Sequence, residues 1–390
     1  MKHSNCPGCQ SEKTEDFFIM KNAPVQSLVT IKNKEEALSI AKKDISLSFC
    51  HGCGFIFNSS FDTSIDHYTH GYEDQQGFSP TFRKFITEVT NRFIEKHDVK
   101  NKDIIEIGCG KGDFIALITE LGNNRGVGID PAFVEERREP DPSLRFIKEF
   151  FSEKHRNLPK DVITCRHTLE HIHGTGEFME TIRNSIKKEE EKVILFFEVP
   201  SIVRILKIQA FWDIFYEHCS YFSPGSLGRL FRLKGFEVLD MYLEYDNQYL
   251  FIEARPGQNQ IKSNQLEESV EDLWELTRDF TKNLSQNLLK WRLLLEQYKK
   301  EGKKVVVWGG GSKSVGFLTH FDNIGLIDHV IDINPHMSGN FIPGIGIQYK
   351  QPEFLKNYRP DVVIIMNGVY EKEIGKMLSD LDLYPTLHAL

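Results

Sequence analysis

Asp103-Ile104-Ile105-Glu106-Ile107-Gly108-Cys109-Gly110-Lys111-Gly112-Asp113, followed by Val127-Gly128-Ile129-Asp130, decides the fold of this chain. An apolar run of strand character ends in three alternately spaced glycines, which let the backbone turn tightly and lie against a ligand where a Cβ would collide. Asp130 stands 22 residues after Gly108, at the end of the next apolar run. There its carboxylate can accept both hydroxyls of a ribose. The unit reads as strand, loop and strand built to hold an adenosine, and it points to an enzyme with a nucleoside cofactor. An ordinary strand-to-helix turn would need neither the acid nor the second strand.

Further apolar runs flank this unit. Upstream, Phe82, Phe85, Ile86, Val89, Phe93 and Ile94 fall on one stripe of a helix over 81–97. Within and downstream of the unit, runs at 104–107, 126–129, 144–147, 162–165, 193–199, 236–243 and 249–254 predict seven strands. The spacers between the early ones suit crossover helices and therefore a mainly parallel sheet, whereas the last two are close enough for a hairpin. Residues 266–301 contain neither Gly nor Pro and repeat apolar residues at helical spacing, as one long helix or two abutting ones. Lys303-Lys304-Val305-Val306-Val307-Trp308-Gly309-Gly310-Gly311-Ser312-Lys313-Ser314 then begins a second strand, glycine loop and helix, with later strands at 330–332 and 362–365. It is not an obvious repeat of the first unit, because Trp308 replaces the acid before the glycines.

Composition narrows the partners. A chain of 390 residues with 40% hydrophobic and 12% aromatic content can bury more than one core. A net charge of −8 without a Lys/Arg cluster argues against a nucleic-acid or anionic-membrane partner and favours a small-molecule substrate. No apolar run approaches a spanning helix, and Met1-Lys2-His3-Ser4-Asn5-Cys6 lacks the apolar core of a signal peptide, so the expected location is cytoplasmic. Four of the seven cysteines form two Cys-x-x-Cys pairs, Cys6/Cys9 and Cys50/Cys53, with 40 residues between them. Two such knuckles turn four thiolates towards one ion, and without an open position that ion is structural zinc. His3 and His51 are substitute ligands at most. The zinc domain is expected to span residues 1–66, followed by an α/β domain over 67–257 and a helical linker with a smaller α/β domain over 258–390.

Two segments after the glycine unit carry chemistry. The fourth strand runs into Cys165-Arg166-His167-Thr168-Leu169-Glu170-His171-Ile172, which offers His171. Beyond the fifth lies Phe211-Trp212-Asp213-Ile214-Phe215-Tyr216-Glu217-His218-Cys219-Ser220-Tyr221-Phe222-Ser223, an acid and base in an aromatic, water-poor setting that can bring pKa values towards neutrality. In the second glycine loop, Gly309, Gly310, Gly311, Ser312 and Lys313 offer free N–H groups at a helix start, suited to a pyrophosphate. The Walker A order is absent, and Asp332 and Asn367 are weaker candidates near later strand ends.

Glu106-x-Gly108-x-Gly110-x-Gly112 resembles motif I of class I methyltransferases, which bind S-adenosylmethionine through these positions and the Asp130 equivalent. Over the whole chain, the four-cysteine start, this core with Leu169-Glu170-His171-Ile172, the Tyr216-Glu217-His218 segment leading into Tyr221-Phe222-Ser223, and the second α/β unit resemble the sugar C-methyltransferases of deoxysugar biosynthesis. That resemblance implies a doubly wound class I sheet flanked by a zinc domain and a C-terminal Rossmann-like domain. It also implies S-adenosylmethionine-dependent methylation of carbon 3 in a nucleotide-linked 4-keto-6-deoxysugar. By position His171 matches the family's strand-four histidine, and Glu217 and His218 match its catalytic pair. Phe215 stands where the family usually has tyrosine, with Tyr216 the nearest hydroxyl, and Gly71-Tyr72-Glu73-Asp74-Gln75-Gln76-Gly77-Phe78-Ser79 loosely echoes the family's tyrosine-and-serine substrate segment, with Tyr72 its candidate contact. The implied chemistry is proton removal next to a ketone by His218, with His171 or Tyr216 stabilising the enolate and Glu217 binding a hydroxyl or orienting a neighbour. Alternatives are O- or N-methylation of a sugar or small metabolite, and a non-catalytic zinc-bearing nucleotide-binding scaffold.

Overall fold

The seven runs predicted as strands form one sheet in the computed structural model, which describes residues 5–65, 71–257 and 264–390. In spatial order the strands are Phe236–Glu244, Tyr249–Pro256, Ile194–Pro200, Val162–Arg166, Asp103–Ile107, Arg125–Ile129 and Leu144–Ile147. Only Tyr249–Pro256 runs against its neighbours. Counted in chain order the sheet is 6-7-5-4-1-2-3, the doubly wound class I methyltransferase arrangement. Ile104, Ile105, Ile163, Leu195 and Phe196 are fully buried because helices cover both faces, which is why these strands read as continuous apolar runs and not as alternation. Pro80–His97 and Asp113–Gly122 pack on one face, Thr175–Ser185 and Pro224–Leu233 on the other. Ser79 caps the first of these helices by accepting from the Phe82 amide, and Pro80 fills its first position.

Residues 266–301 yield a single helix, Val270–Lys300, started by a Ser269–Asp272 capping box. It leads into a second, wholly parallel sheet ordered Gln348–Lys350, Ile327–Ile331, Val305–Trp308, Val362–Ile365, Thr386–Ala389, or 3-2-1-4-5. Its outer strands Gln348–Lys350 and Thr386–Ala389 were not read from the sequence. Both are short, and the second has no buried residue, so neither leaves an apolar run.

The N-terminal residues hold more than two knuckles. Thr14–Pro24, Lys42–Cys50 and Ile56–Asn58 form an antiparallel sheet completed by Ser220–Tyr221, from the segment after the fifth parallel strand. The first strand is irregular, with register shifts between Asp16 and Phe18 and between Met20 and Ala23, which breaks the period-two pattern a sequence reading needs. This unit also meets the second α/β unit, where the Phe341 amide donates to Ile31 O at 2.8 Å and the Gly344 amide to Ala37 O at 2.7 Å. The expected boundary at 66 falls at the edge of the undescribed residues 66–70. No helix among the described residues is long and apolar enough to cross a membrane.

Candidate active site

Both doubly wound sheets reverse their winding between their first and fourth strands, and both reversal points face one cavity of about 940 Å³. At the first, Gly108, Gly110 and Gly112 have φ of 71°, 53° and 82°, so all three need the left-handed backbone that glycine adopts at little cost. Asp130 accepts from the Gly110 amide at 2.9 Å and the Ala132 amide at 2.6 Å. Glu106 is buried beside the loop, and desolvation pushes its carboxyl up to about 8 against the pull of Arg166. A Cβ on Gly110 would sit 3.1 Å from the Asp74 carboxylate, so the loop leaves room only for backbone between that acid and the turn. These residues fit an adenosine with a charged amino-acid tail: an acid for the ribose, loop backbone lining the cavity from Gly108 to Lys111, and Asp74 in the cavity wall.

The second reversal point repeats part of this. Asp332 accepts from the Gly310 amide at 2.5 Å and the Asn334 amide at 2.7 Å. Gly309, Gly310, Gly311, Ser312 and Lys313 all line the cavity, as do Asp332 and Asn367. The Lys313 ammonium is already paired with Asp213, which Arg204 also approaches at 3.8 Å. Arg204 and Asp213 gave no signal in the sequence as part of the site, since the helix bearing Arg204 and the turn bearing Asp213 meet Lys313 only in the fold. Tyr72 lies in the wall between the two loops, and its carbonyl accepts from Lys111 Nζ at 2.8 Å. The neighbouring Glu73 carboxylate accepts from Arg137 at 3.0 Å and from Asn334 at 3.0 Å, tying the two α/β units together across the cavity.

His171 and His218 meet in the wall of the same cavity, with ring centroids 4.8 Å apart and planes at 83°. His171 Nδ1 lies 3.0 Å from the Glu217 carbonyl oxygen, and because a carbonyl only accepts, Nδ1 carries the proton. Burial, with His171, His167 and Lys313 nearby, holds His218 well below the usual histidine range, so its imidazole is neutral. Phe215 lies against it at 4.0 Å between ring centroids. Glu170, absent from the sequence reading although it sits in the quoted motif, is buried with its carboxylate 3.4 Å from His167 and close to both histidines. Burial pushes the His167 pKa down, but Glu198 and Glu170 outweigh it and raise it to about 9.

Two expected catalytic side chains are not in the cavity wall. Tyr216 is fully buried, its hydroxyl accepting from the Asp62 amide at 2.9 Å and its ring stacked on Phe61, which directs it to the N-terminal unit and away from the cavity. Glu217 is 2% exposed and turned towards Ser27. The His218 amide donates to Phe215 O at 3.2 Å, a tight turn that leaves Phe215 and His218, with Asp213 before them, in the cavity wall and carries Tyr216 and Glu217 at its tip away from it.

Cys6, Cys9, Cys50 and Cys53 converge as expected, with sulfurs 3.7 Å apart for Cys6–Cys53 and 3.6 Å for Cys9–Cys50. Four sulfurs at about 2.3 Å from a tetrahedral ion would be about 3.8 Å apart, so the cluster is compatible with zinc. His51 is no ligand: it pairs with Glu15 at 3.0 Å and packs on Trp274. His3 lies outside the described residues.

With this geometry in hand, comparison with known proteins gives two family matches: a methyltransferase domain over residues 80–241 and a C-methyltransferase C-terminal domain over residues 252–382. The chain is 24% identical over 334 residues to the C-methyltransferase NovU of Streptomyces niveus, covering 80% of this chain and 77% of that protein. It is 29% identical over 132 residues to the mitochondrial ubiquinone biosynthesis O-methyltransferase of Schizosaccharomyces pombe, covering 32% of this chain and 47% of that one. Among solved structures, the 1,6-didemethyltoxoflavin-N1-methyltransferase of Burkholderia thailandensis, with bound S-adenosylhomocysteine, aligns over 52% of this chain and 96% of its own at 14% identity and a TM-score of 0.34. The C-terminal match and the resemblance to NovU support carbon as the methylated atom. The chain is a methyltransferase, carrying a methyltransferase domain followed by a C-methyltransferase C-terminal domain.

Proposed function

We propose that this enzyme methylates a carbon next to the ketone of a nucleotide-linked keto-deoxysugar. The observation that carries the reading is one cavity lined by both glycine loops and by the paired rings of His171 and His218. Glu106, Gly108, Gly110, Gly112 and Asp130 would hold S-adenosylmethionine, whose sulfonium supplies an electrophilic methyl group. Gly309 to Lys313 would take the nucleotide diphosphate, with Tyr72 lining the space between. His218 accepts the proton from the carbon beside the ketone, and His171, when it carries a second proton on Nε2, donates it to the oxygen on which charge develops. The His171 Nδ1 bond to the Glu217 carbonyl fixes that ring for the task. The similarity to an O-methyltransferase over 132 residues keeps a second reading in play, in which His218 deprotonates a hydroxyl.

Proton exchange separates the two. In D₂O, with S-adenosylhomocysteine present, a nucleoside-diphosphate-linked 4-keto-6-deoxyhexose should gain one deuterium beside its ketone, and His218→Ala should lose both exchange and methyl transfer by about 10²–10⁴-fold. His171→Ala should keep part of each. Absence of exchange with methylation on oxygen would favour the second reading, and full-rate transfer by His218→Ala would remove the base.

The four-cysteine site is proposed to hold one structural zinc. Elemental analysis of protein purified without added metal should find about one zinc per chain, reduced in Cys50→Ser; content far below one and unaffected by that change would refute it.

A further inference from the structure

Three interactions converge on Glu217. Its carbonyl oxygen accepts from His171 Nδ1 at 3.0 Å, its successor in the chain is His218, and its carboxylate Oε2 accepts from the Ser27 amide at 3.0 Å and from the Ser27 hydroxyl. The Ser27 hydroxyl lies 2.9 Å from Ser312 Oγ, at the start of the helix after the second glycine loop. Ser27 itself belongs to the N-terminal unit, between the strand Thr14–Pro24 and the helix Lys34–Ser39. We propose that Glu217 and Ser27 are positioning residues: Ser27 anchors the Glu217 carboxylate, and through the Glu217 backbone fixes both histidines relative to the second glycine loop. The inference rests on the reading of His171 and His218 as the acid–base pair.

Burial supports an anchor over a substrate contact. Glu217 and Ser27 are each 2% exposed and Glu217 is absent from the cavity wall, so its carboxylate reaches no ligand there. Its other oxygen, Oε1, is buried with no hydrogen-bond partner among the described residues. A buried oxygen without a partner is a cost that packing alone would avoid with an apolar side chain, so the acid serves something besides the core. Burial pushes the carboxyl up to about 7 while the two Ser27 donors work against it, so the pair also ties the charge of Glu217 to the position of the N-terminal unit. That unit braces the His171 segment from a second side, where the Gly176 amide donates to Pro7 O at 3.0 Å between the cysteine knuckle and the helix Thr175–Ser185.

Ser27→Ala, Glu217→Gln, Glu217→Ala and His218→Ala test this together. The readouts are turnover of a nucleoside-diphosphate-linked 4-keto-6-deoxyhexose, S-adenosylhomocysteine affinity, and the proton resonance of His171 Nδ1. Glutamine still accepts from both Ser27 donors, so Glu217→Gln should retain kcat within about threefold. Ser27→Ala should lose about tenfold and Glu217→Ala about a hundredfold, the range for one or two hydrogen bonds to a charged group. In both, the His171 resonance should shift or broaden while S-adenosylhomocysteine binds as before. If Glu217→Gln is as inactive as Glu217→Ala with the His171 resonance intact, Glu217 carries a proton itself and the proposal fails. A Ser27→Ala enzyme with unchanged kcat and resonance also overturns it. Full activity in His218→Ala would instead strike the acid–base reading, and the His171 resonance of Ser27→Ala would still decide whether Ser27 positions that ring. Ser27→Ala and Glu217→Gln remove few atoms and keep the test open if Glu217→Ala does not fold.

Discussion

At the first glycine loop the Gly108 amide donates to Ile129 O at 2.8 Å, and at the second the Gly309 amide donates to Ile331 O at 2.8 Å. Two residues later in one case and one residue later in the other, a glycine amide reaches the acid at the end of the neighbouring strand. The next register also matches, with Asp130 N bonded to Ile147 O at 3.1 Å and Asp332 N to Lys350 O at 3.0 Å. The two α/β units thus share a backbone circuit that their sequences conceal, because one loop is a residue shorter and lacks the acid before it. Their glycines do different work. The first loop has three left-handed glycines, whereas in the second only Gly309 is left-handed, at φ 110°. Gly310 is small because a Cβ there would come within 2.6 Å of Tyr349, and Gly311 faces open space. Counting glycines does not find a ligand; the acid bonded to the loop amide marks the equivalent site.

Glycine-to-alanine substitutions should therefore separate the loops. In Gly108→Ala a Cβ would lie 2.1 Å from Thr168 Oγ1 on a left-handed backbone, and the variant should lose S-adenosylhomocysteine affinity by tenfold or more and be destabilised by about 1–3 kcal/mol. Gly311→Ala should fold with stability unchanged within about 0.5 kcal/mol, since no described atom lies within 4 Å, yet weaken a nucleoside diphosphate. Thermal unfolding and calorimetry on both variants check this, and equal destabilisation would remove the contrast.

The smallest expected effect concerns charge near the first loop. His167 is raised to about 9 in the fold, so its pairing with Glu198 and Glu170 stabilises fully below pH about 6.5 and is lost as pH rises through about 9. The melting temperature of the wild type should fall by a few degrees between pH 7 and 9.5, and that slope should flatten in His167→Asn. Among the described residues no imidazole hydrogen-bonds the Asp332 carboxylate, so this pH effect should be absent from nucleotide binding at the second loop.

What the sequence disclosed follows from how each part is encoded. The doubly wound sheet was legible because buried parallel strands leave continuous apolar runs, and the cysteine knuckles because four ligands in two close pairs are rarely accidental. Gly108, Gly110, Gly112 and Asp130 drew the eye by following strand ends, and His171 and His218 by the motif and the aromatic segment that hold them; all but Gly112 stand in the cavity wall. Ser27 was invisible, lying 190 residues from Glu217 in a stretch without a motif. Tyr216 and Glu217 were placed in the site by adjacency to His218, and it is side-chain direction, which sequence does not carry, that turns them away. The N-terminal sheet was missed since one of its strands comes from residues 220–221 and another is interrupted by register shifts.

The division of labour between the loops is tested most directly by calorimetry with two ligands on two variants. S-adenosylhomocysteine and thymidine or uridine diphosphate should bind the wild type together. Asp130→Ala should lose tenfold or more in S-adenosylhomocysteine affinity and keep the diphosphate, and Asp332→Ala should do the reverse, since a charge-assisted hydrogen bond contributes about 1.5–3 kcal/mol. Loss of the same ligand in both variants, or an Asp332→Ala protein that binds both ligands as the wild type does, would contradict a cofactor at the first loop and a nucleotide at the second.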